Sequence, residues 1–129
     1  MTESIGEDII PRVEYDDFGT ELKESLRSKV ERLGYCGEIW RVGANAPKSM
    51  FCFAEMTEAL KSEIDMKLVE LVALTSAGIM GNTYERNQHE RLSNTLEYGR
   101  DWIKQVNELQ AEPGRHMSDA ECAVQKYVI

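Results

Sequence analysis

Apolar residues recur at helical spacing along most of this chain. In "TELKESLRSKVERLG", four of them follow one another at steps of four, four and three: Leu22, Leu26, Val30 and Leu33. Steps of three and four bring side chains onto one face of a helix. Gly34 comes directly after the last of them, and glycine is the residue that most often follows a helix. The segment is therefore predicted to be an amphipathic helix that ends at Gly34.

Two further helices are predicted before residue 62. "YCGEIWRVGANA" carries three apolar residues close together and predicts a short helix or helical turn. Pro47 then opens "PKSMFCFAEMTEALKS". Proline is well tolerated in the first turn of a helix, because its missing N–H would have no partner there. These features predict a longer helix that begins at Pro47.

The most apolar helix is predicted in "SEIDMKLVELVALTSAGIMG". Ser62 is its predicted N-cap, and acidic residues follow in the first turn, as the helix dipole favours. From Leu68 to Met80 the segment is apolar on nearly all sides. This composition predicts a helix that is buried on most sides.

The remaining sequence predicts three more helices. The first spans about 82–98, and the second is "RDWIKQVNELQ", terminated at Pro113. The third, "SDAECAVQKYVI", opens with a capping box, in which Ser118 and Glu121 satisfy each other's free backbone N–H groups. No segment shows the alternation of a β-strand. The predicted fold class is all-α.

The length of 129 residues is that of one domain. Residues 1–18 carry many charges and are predicted to form an acidic, extended and partly mobile lead-in. Residues 19–129 are predicted to form one helical domain. The last helix begins with a proper cap but stops at Ile129 without a C-terminal signal. We expect either a further segment, so that the domain is truncated here, or burial of this end against another subunit.

Charge and composition narrow the function classes. The net charge is −8, from 15 basic and 23 acidic residues, and no basic stripe is present. This argues against a nucleic-acid partner or an anionic membrane surface. The sequence has no leader signal, and its apolar runs are shorter than the roughly 20 residues that span a bilayer. A cytoplasmic protein is expected.

The three cysteines indicate no disulfide framework and no zinc site. Cys36, Cys52 and Cys122 are widely spaced, and no Cys-x-x-Cys occurs. Cys52 and Cys122 lie in apolar helical surroundings, so both are predicted to be small core residues.

Ionisable residues occupy positions where a helix would normally be apolar. Glu85, His89, Leu92 and Leu96 share one face of the predicted helix 82–98. Glu70 lies inside "LVELVAL", in the most apolar helix. A buried carboxylate either takes a proton or finds a partner, because an isolated buried charge is costly.

His89 is the predicted partner of Glu70. Two helices joined by a turn near Gly81 can pack antiparallel, with Glu70 about eleven residues before the turn and His89 about eight after it. At ~1.5 Å rise per residue, their levels differ by only about 5 Å. An acid and a base that face each other away from water make proton-transfer chemistry possible.

Plainer interpretations of the same residues exist. Glu85 and His89 could form an ordinary exposed pair worth a few tenths of a kcal/mol. Glu70 could belong to a buried structural network or extend to the surface. Glu85 and His89 could also supply two metal ligands with Glu70 as the third, although a chain with two histidines favours a site without metal.

The segments "APKSMFCFAEMTEAL" and "KLVELVALTSAGIMGNTYERNQH" resemble the carboxymuconolactone decarboxylase and alkylhydroperoxidase D superfamily. The resemblance covers roughly residues 25–129, and its specific part is the distance from Glu70 to His89. It implies an all-helical, AhpD-like fold with a central antiparallel helix hairpin. In the peroxidase branch, Cys-x-x-Cys stands between the glutamate and the histidine. Asn82 and Glu85 occupy those positions here, so the resemblance is to the cysteine-free, decarboxylase-like branch.

This resemblance implies a particular activity and site. It implies a homo-oligomer, trimer or hexamer, with no organic cofactor and no obligatory metal. A lyase of this branch would act on a small carboxylated lactone or related acid. His89 would be the general acid/base, and Glu85 and Glu70 would set its tautomer and charge. Substrate contacts are predicted for Tyr84, Asn82 and Arg86, with the tyrosine or asparagine donating to a developing oxyanion.

Two other hypotheses stay open. The first is a non-catalytic oligomeric helical module, which would explain the missing cysteines and the abrupt C-terminus equally well. The second, a thiol peroxidase that uses another cysteine, is disfavoured because the redox dithiol is absent.

Overall fold

The computed structural model describes residues 9–129, and helices account for all of the regular structure in that range. The absence of β-strands from these residues confirms the all-α class. Within the same range, no helix has both the length and the apolar character needed to cross a membrane. After a 3-10 turn at Tyr15–Asp17, the helices are α1 (Thr20–Leu33), α2 (Glu38–Gly43), α3 (Pro47–Ser62), α4 (Met66–Met80), α5 (Thr83–Thr95), α6 (Arg100–Asn107) and α7 (Asp119–Val128).

The chain divides into two compact units, one up to Leu60 and the other Lys61–Ile129. Each has its own buried core. The core of the first unit consists of Phe18, Leu22, Leu26, Ala44 and Ala54. The core of the second consists of Leu71, Leu74, Trp102, Ile103, Val106, Met117 and Cys122. The single domain expected over residues 19–129 stays a prediction.

The predicted lead-in is described from residue 9 onward, and residues 1–8 lie outside the described part. The Val13 backbone N–H donates to the Arg41 carbonyl at 3.0 Å. The Asn45 side-chain amide donates to the Pro11 carbonyl at 2.6 Å. Phe18 is buried in the core of the first unit. The described part of the lead-in is thus tied to α1 and α2 by hydrogen bonds and packing.

Several local helix signals have the predicted effect. Gly34 caps α1 in the left-handed conformation, with φ 77°, and Pro47 is the first residue of α3. The capping box of α7 is complete. The Ser118 hydroxyl accepts from the Glu121 N–H at 3.2 Å, and the Glu121 carboxylate accepts from the Ser118 N–H at 2.7 Å. These signals act within one turn, which is why sequence alone identifies them.

The start of α4 was predicted wrongly. Ser62 is the last residue of α3 rather than the N-cap of α4. Asp65 is the N-cap, and its carboxylate accepts from the Lys67 N–H at 2.9 Å. Serine and aspartate are both good N-caps, so the choice depended on how far α3 extends.

The ends of α5 and α6 come earlier than predicted, at Thr95 and Asn107. In both cases the backbone becomes left-handed two residues later, with φ 58° at Glu97 and φ 56° at Leu109. Glycine usually occupies such positions, because other residues are strained there. Neither residue is glycine, so the sequence carried no stop signal at these two positions.

The outer face of α4 is exposed, which corrects the prediction of burial on most sides. Leu71 and Leu74 have no exposed surface, whereas Val72, Ile79 and Met80 are exposed. Within its unit α4 packs against α5, α6 and α7. These three neighbours cover one side of α4 and leave the other open.

The cysteine environments differ from one another. Cys122 is buried as predicted, but Cys52 is exposed on α3, so its prediction as a core residue was wrong. The buried residue of α3 is Ala54. Burial raises the pKa of the Cys122 and Cys36 thiols above their ordinary range. A raised pKa lowers the thiolate fraction and therefore the reactivity of both thiols.

Alkylation of the native protein with iodoacetamide near neutral pH should modify Cys52 first. Cys36 and Cys122 should react slowly, because burial limits access and disfavours their thiolates. Peptide mass mapping over time measures the three rates, and labelling in denaturant supplies the control in which the rates converge. Equal rates in the native protein would contradict the described burial.

Candidate functional site

Two residues connect α4 to α5. Gly81 ends α4 in the left-handed conformation, with φ 62°, and Asn82 caps α5. The Asn82 side-chain oxygen accepts from the Glu85 N–H at 3.1 Å. The two helices then pack against each other. The short connection sets their register, and the register determines which side chains meet.

Glu70 and His89 meet across these two helices. Nδ1 of His89 lies 2.7 Å from Oε2 of Glu70, and the Glu70 side chain is only 1% exposed. The predicted contact is therefore present. An ionised carboxylate only accepts, so with Glu70 in its ionised form the hydrogen of this bond belongs to Nδ1. Glu70 thus holds the imidazole in one orientation and leaves Nε2 as its second polar atom.

Glu85 lies on the other side of the imidazole. Its Oε2 is 3.4 Å from Nε2 of His89, one helical turn away, and its side chain is 39% exposed. A neutral imidazole has one N–H, whereas the imidazolium has two. Only the protonated ring can donate to both carboxylates at once. The arrangement therefore provides counter-charges for a cation that forms when Nε2 takes a proton.

The His89 side chain is 21% exposed, so the ring is reachable from solvent. Glu70, in contrast, is enclosed. The partly exposed base and the buried carboxylate beside it have the division of roles seen in general acid/base sites: the buried group orients the ring, and the second ring nitrogen exchanges protons. The arrangement of Glu70 and His89 can therefore serve general acid/base catalysis.

Tyr98 is a neighbour of Glu70 that sequence reasoning missed. The pKa of its phenol is raised, first by burial and then by the negative charges of Glu70 and Asp65. The phenol therefore keeps its proton through the neutral range. Tyr98 follows the end of α5. In the predicted helix 82–98 it lies off the face that Glu85, His89, Leu92 and Leu96 share, so the spacing did not indicate it.

Lys67 is a second residue that sequence reasoning missed. Its Nζ lies 3.1 Å from Oε1 of Glu121, at the start of α7. The same Nζ is 5.1 Å from the ring centre of Trp102 and 5.8 Å from that of Tyr98. A carboxylate and two aromatic faces thus satisfy this cation. The bridge ties the first turn of α4 to that of α7.

Ser93 extends the polar face of α5 by one turn beyond His89. It is completely buried, and its hydroxyl has no hydrogen-bond partner in the part of the chain that the structure describes. Leu92 and Leu96, which the pattern placed on the His89 face, are only half-buried. Glu85, His89 and Ser93 at steps of four form the inner line of polar groups.

The three predicted substrate contacts have different surroundings. Asn82 uses its side-chain oxygen as the helix cap. Nε of Arg86 lies 3.6 Å from Oε1 of Glu90, and the Arg86 side chain is partly exposed. Tyr84 is exposed on the first turn of α5. Their role in substrate binding stays a prediction.

The geometry gives no support to the metal alternative. Among residues 9–129, no group of three or more His, Cys, Asp or Glu side chains is arranged to hold a metal ion. Nδ1 of His89 is engaged by Glu70. The acid/base interpretation uses Glu70, Glu85 and His89 directly and does not require a metal ion.

Comparison with known protein families, curated proteins and solved structures finds no match for this chain.

Replacing Glu70 should have a larger effect than replacing Glu85. Glu70→Ala should lower the free energy of unfolding by about 2–4 kcal/mol, because it removes a buried hydrogen bond and leaves a cavity. Glu85→Ala, at a partly exposed position, should cost about 0.5 kcal/mol or less. Urea denaturation measures both. Equal losses of stability in the two alanine variants would contradict the assigned burial.

In ¹⁵N NMR, His89 should carry its proton on Nδ1 in the native chain and in Glu70→Gln, and lose that preference in Glu70→Ala.

Tyr98 should make stability fall at alkaline pH. A proton held more tightly in the folded state stabilises the fold below the unfolded pKa, and this contribution is lost as the pH rises through the higher folded pKa. The melting temperature of Tyr98→Phe should therefore fall less than that of the native chain between about pH 9 and about pH 11. Tyr127→Phe, at an exposed position, should behave like the native chain. Parallel pH profiles for the native chain and Tyr98→Phe would count against the raised pKa.

Proposed function

We propose that this protein is a cofactor-free acid/base enzyme of the decarboxylase-like type. It acts on a small carboxylated lactone or related acid by decarboxylation or proton transfer. The observation that supports the proposal is the 2.7 Å hydrogen bond between His89 Nδ1 and the buried Glu70 carboxylate. That bond orients the ring and leaves Nε2 facing the Glu85 carboxylate, 3.4 Å away, in a side chain that is partly exposed.

The proposed residues have separate roles. Glu70 is a positioning residue that holds the tautomer and orientation of His89. Nε2 of His89 is the atom that transfers the proton. Glu85 balances the charge of the imidazolium, since its carboxylate lies 3.4 Å from Nε2.

The proposed decarboxylation begins at the substrate carboxylate. The bond between the carboxylate carbon and the adjacent ring carbon breaks, and carbon dioxide leaves. The electron pair stays on the ring carbon and is delocalised onto the lactone carbonyl as an enolate. Nε2–H of the His89 imidazolium then protonates this carbon, and a proton taken up from the solvent restores Nε2–H, so that one proton is consumed for each carbon dioxide released. Asn82 and Tyr84 are the proposed donors to the enolate oxygen, and Arg86 is the proposed partner of the substrate carboxylate.

The proposal includes membership of the carboxymuconolactone decarboxylase and alkylhydroperoxidase D superfamily. It carries with it the AhpD-like arrangement of the helices, assembly as a trimer or hexamer, and a cytoplasmic location. A peroxidase function has less support. The two dithiol positions of that branch are occupied by the cap Asn82 and the ion partner Glu85, and burial raises the pKa of Cys36 and Cys122.

The competing proposal is a non-catalytic helical module in which the Glu70–His89 bond serves stability alone. The depth of Glu70 favours it, because a buried carboxylate with one good donor can be purely structural. The two proposals differ in what happens when His89 is replaced in a folded chain.

The test is a panel of small carboxylated lactones and related acids, incubated with the protein in D2O and followed by ¹H NMR. The expected result is loss of carbon dioxide or deuterium incorporation at the adjacent carbon for at least one compound. His89→Gln should lower the rate by about 10²–10⁴-fold, the usual contribution of a general acid/base. His116→Gln replaces the other histidine of the chain, an exposed one, and should leave the rate unchanged.

Chemical rescue separates catalysis from structure. Free imidazole should restore part of the activity of His89→Ala, because it can supply the missing proton. Circular dichroism confirms that the variant is folded. Full turnover by His89→Gln would exclude the assigned role of His89. A panel without any reaction would favour the non-catalytic module.

A further inference from the structure

Residues 11–14, here called the strap, lie against α2 and the turn that follows it, in the first unit. The Val13 backbone N–H donates to the Arg41 carbonyl at 3.0 Å. The Asn45 side-chain amide donates to the Pro11 carbonyl at 2.6 Å. Within the strap, Val13 is half-buried and the other three residues are exposed. The strap is therefore held mainly by polar contacts at the surface.

Ion pairs supply the rest of the attachment. Arg12 pairs with Glu38, and Glu14 pairs with Arg41. Nη1 of Arg41 also lies 2.9 Å from Oε1 of Glu38, so the two pairs are joined. The side chains of Arg12 and Glu38 are each 44% exposed, and that of Glu14 is 69% exposed. Dissolved salt weakens pairs at this level of exposure, because mobile ions screen their charges.

The chain is anchored immediately after the strap. Phe18 is buried in the core of the first unit. The Tyr15 ring packs edge-on against it, with 5.4 Å between ring centres, and the Tyr15 hydroxyl donates to the Lys23 carbonyl at 3.0 Å. The strap can thus leave α2 while the core stays in place. Segments with few buried apolar contacts open locally at a lower free-energy cost than the whole fold.

Cys36 lies close to the ion pairs of the strap. Like Val13, it is partly buried and packs against the core of the first unit. Burial raises the pKa of its thiol, and the charges of Arg41, Glu14 and Glu38 act on that pKa as well. When the strap leaves, the thiol loses a neighbouring segment and the charge of Glu14. Its reactivity therefore reports whether the strap is open.

We propose that the strap is a salt-releasable cover of the first unit and that it limits access to Cys36. It opens as one segment when its ion pairs are screened, while α1, α2 and α3 stay folded. Glu70, Glu85 and His89 lie in the second unit, so the strap shares no residue with the proposed acid/base site. The two proposals are therefore tested independently.

The first test is alkylation of the native chain with iodoacetamide at fixed pH, in about 0.05 M and about 1 M NaCl. The alkylation rate of Cys36 should rise about fivefold at high salt, the factor that two exposed ion pairs of ordinary strength represent. The other two thiols are internal controls, because Cys52 is exposed and Cys122 is buried in the second unit. Their rates should stay nearly unchanged.

Hydrogen exchange of the Val13 amide is the second test, and it does not involve a thiol. The bond to the Arg41 carbonyl protects this amide only while the strap is closed. Its exchange rate should rise at high salt by the same factor as the alkylation rate of Cys36. The Lys23 amide, which donates to the Gly19 carbonyl at the start of α1, should exchange at an unchanged rate.

Glu38→Gln removes the ion-pair partner that Arg12 and Arg41 share. In this variant the Val13 amide should exchange faster at low salt than in the native chain, and added salt should accelerate it less. Glu24→Gln, which breaks an exposed pair with Arg27 on α1, is the matched control and should behave as the native chain does. Circular dichroism verifies that both variants are folded.

Two outcomes would overturn the salt-releasable strap. One is a Val13 exchange rate that is the same at both salt concentrations. The other is a rise in Cys36 alkylation that Cys122 matches, because that would show general loosening of the fold instead of local opening.

Discussion

A carboxylate that is removed from water needs a hydrogen-bond donor, and His89 is the donor that Glu70 has. Glu70 lies in α4 next to Leu71, which is completely buried. Without a partner, its charge would cost several kcal/mol or be lost to protonation. The hydrogen bond therefore constrains the register of α4 and α5. It also determines which ring nitrogen of His89 is left for chemistry.

The surrounding charges are arranged so that this bond is not disturbed. Lys67, one turn before Glu70 on α4, is paired with Glu121 of α7 and covered by Trp102. It is thereby held by a different carboxylate. Tyr98 keeps its proton because burial and neighbouring negative charge raise its pKa. The result is a buried carboxylate whose short hydrogen bond is with a titratable ring, which is the condition for using that ring as an acid and a base.

Helix α5 serves two faces of the second unit. His89 faces α4 through its bond to Glu70, and the next residue, Glu90, accepts from the Asn107 amide of α6. Consecutive residues on a helix point about 100° apart, so one short helix can contribute to both places. This explains why α5 has so few apolar residues, since its polar side chains are used on more than one side.

The sequence by itself determined those features that depend on interactions within one helical turn or across a short connection. The all-helical class, the Gly34 and Ser118 caps, and the contact of Glu70 with His89 all belong to this group. The last of these was predictable because two residues join α4 to α5, so counting along the chain gave the levels of the side chains.

Tertiary packing alone decided the rest. The partner of Lys67 and the setting of Tyr98 depend on how helices that are distant in sequence pack against each other. The exposure of Cys52 and Val72 depends on which side of α3 and α4 their neighbours cover. Periodicity shows that a residue lies on a given face of a helix. It does not show which other helix that face meets, because the free energy of packing is summed over contacts between segments that the sequence pattern leaves unconnected.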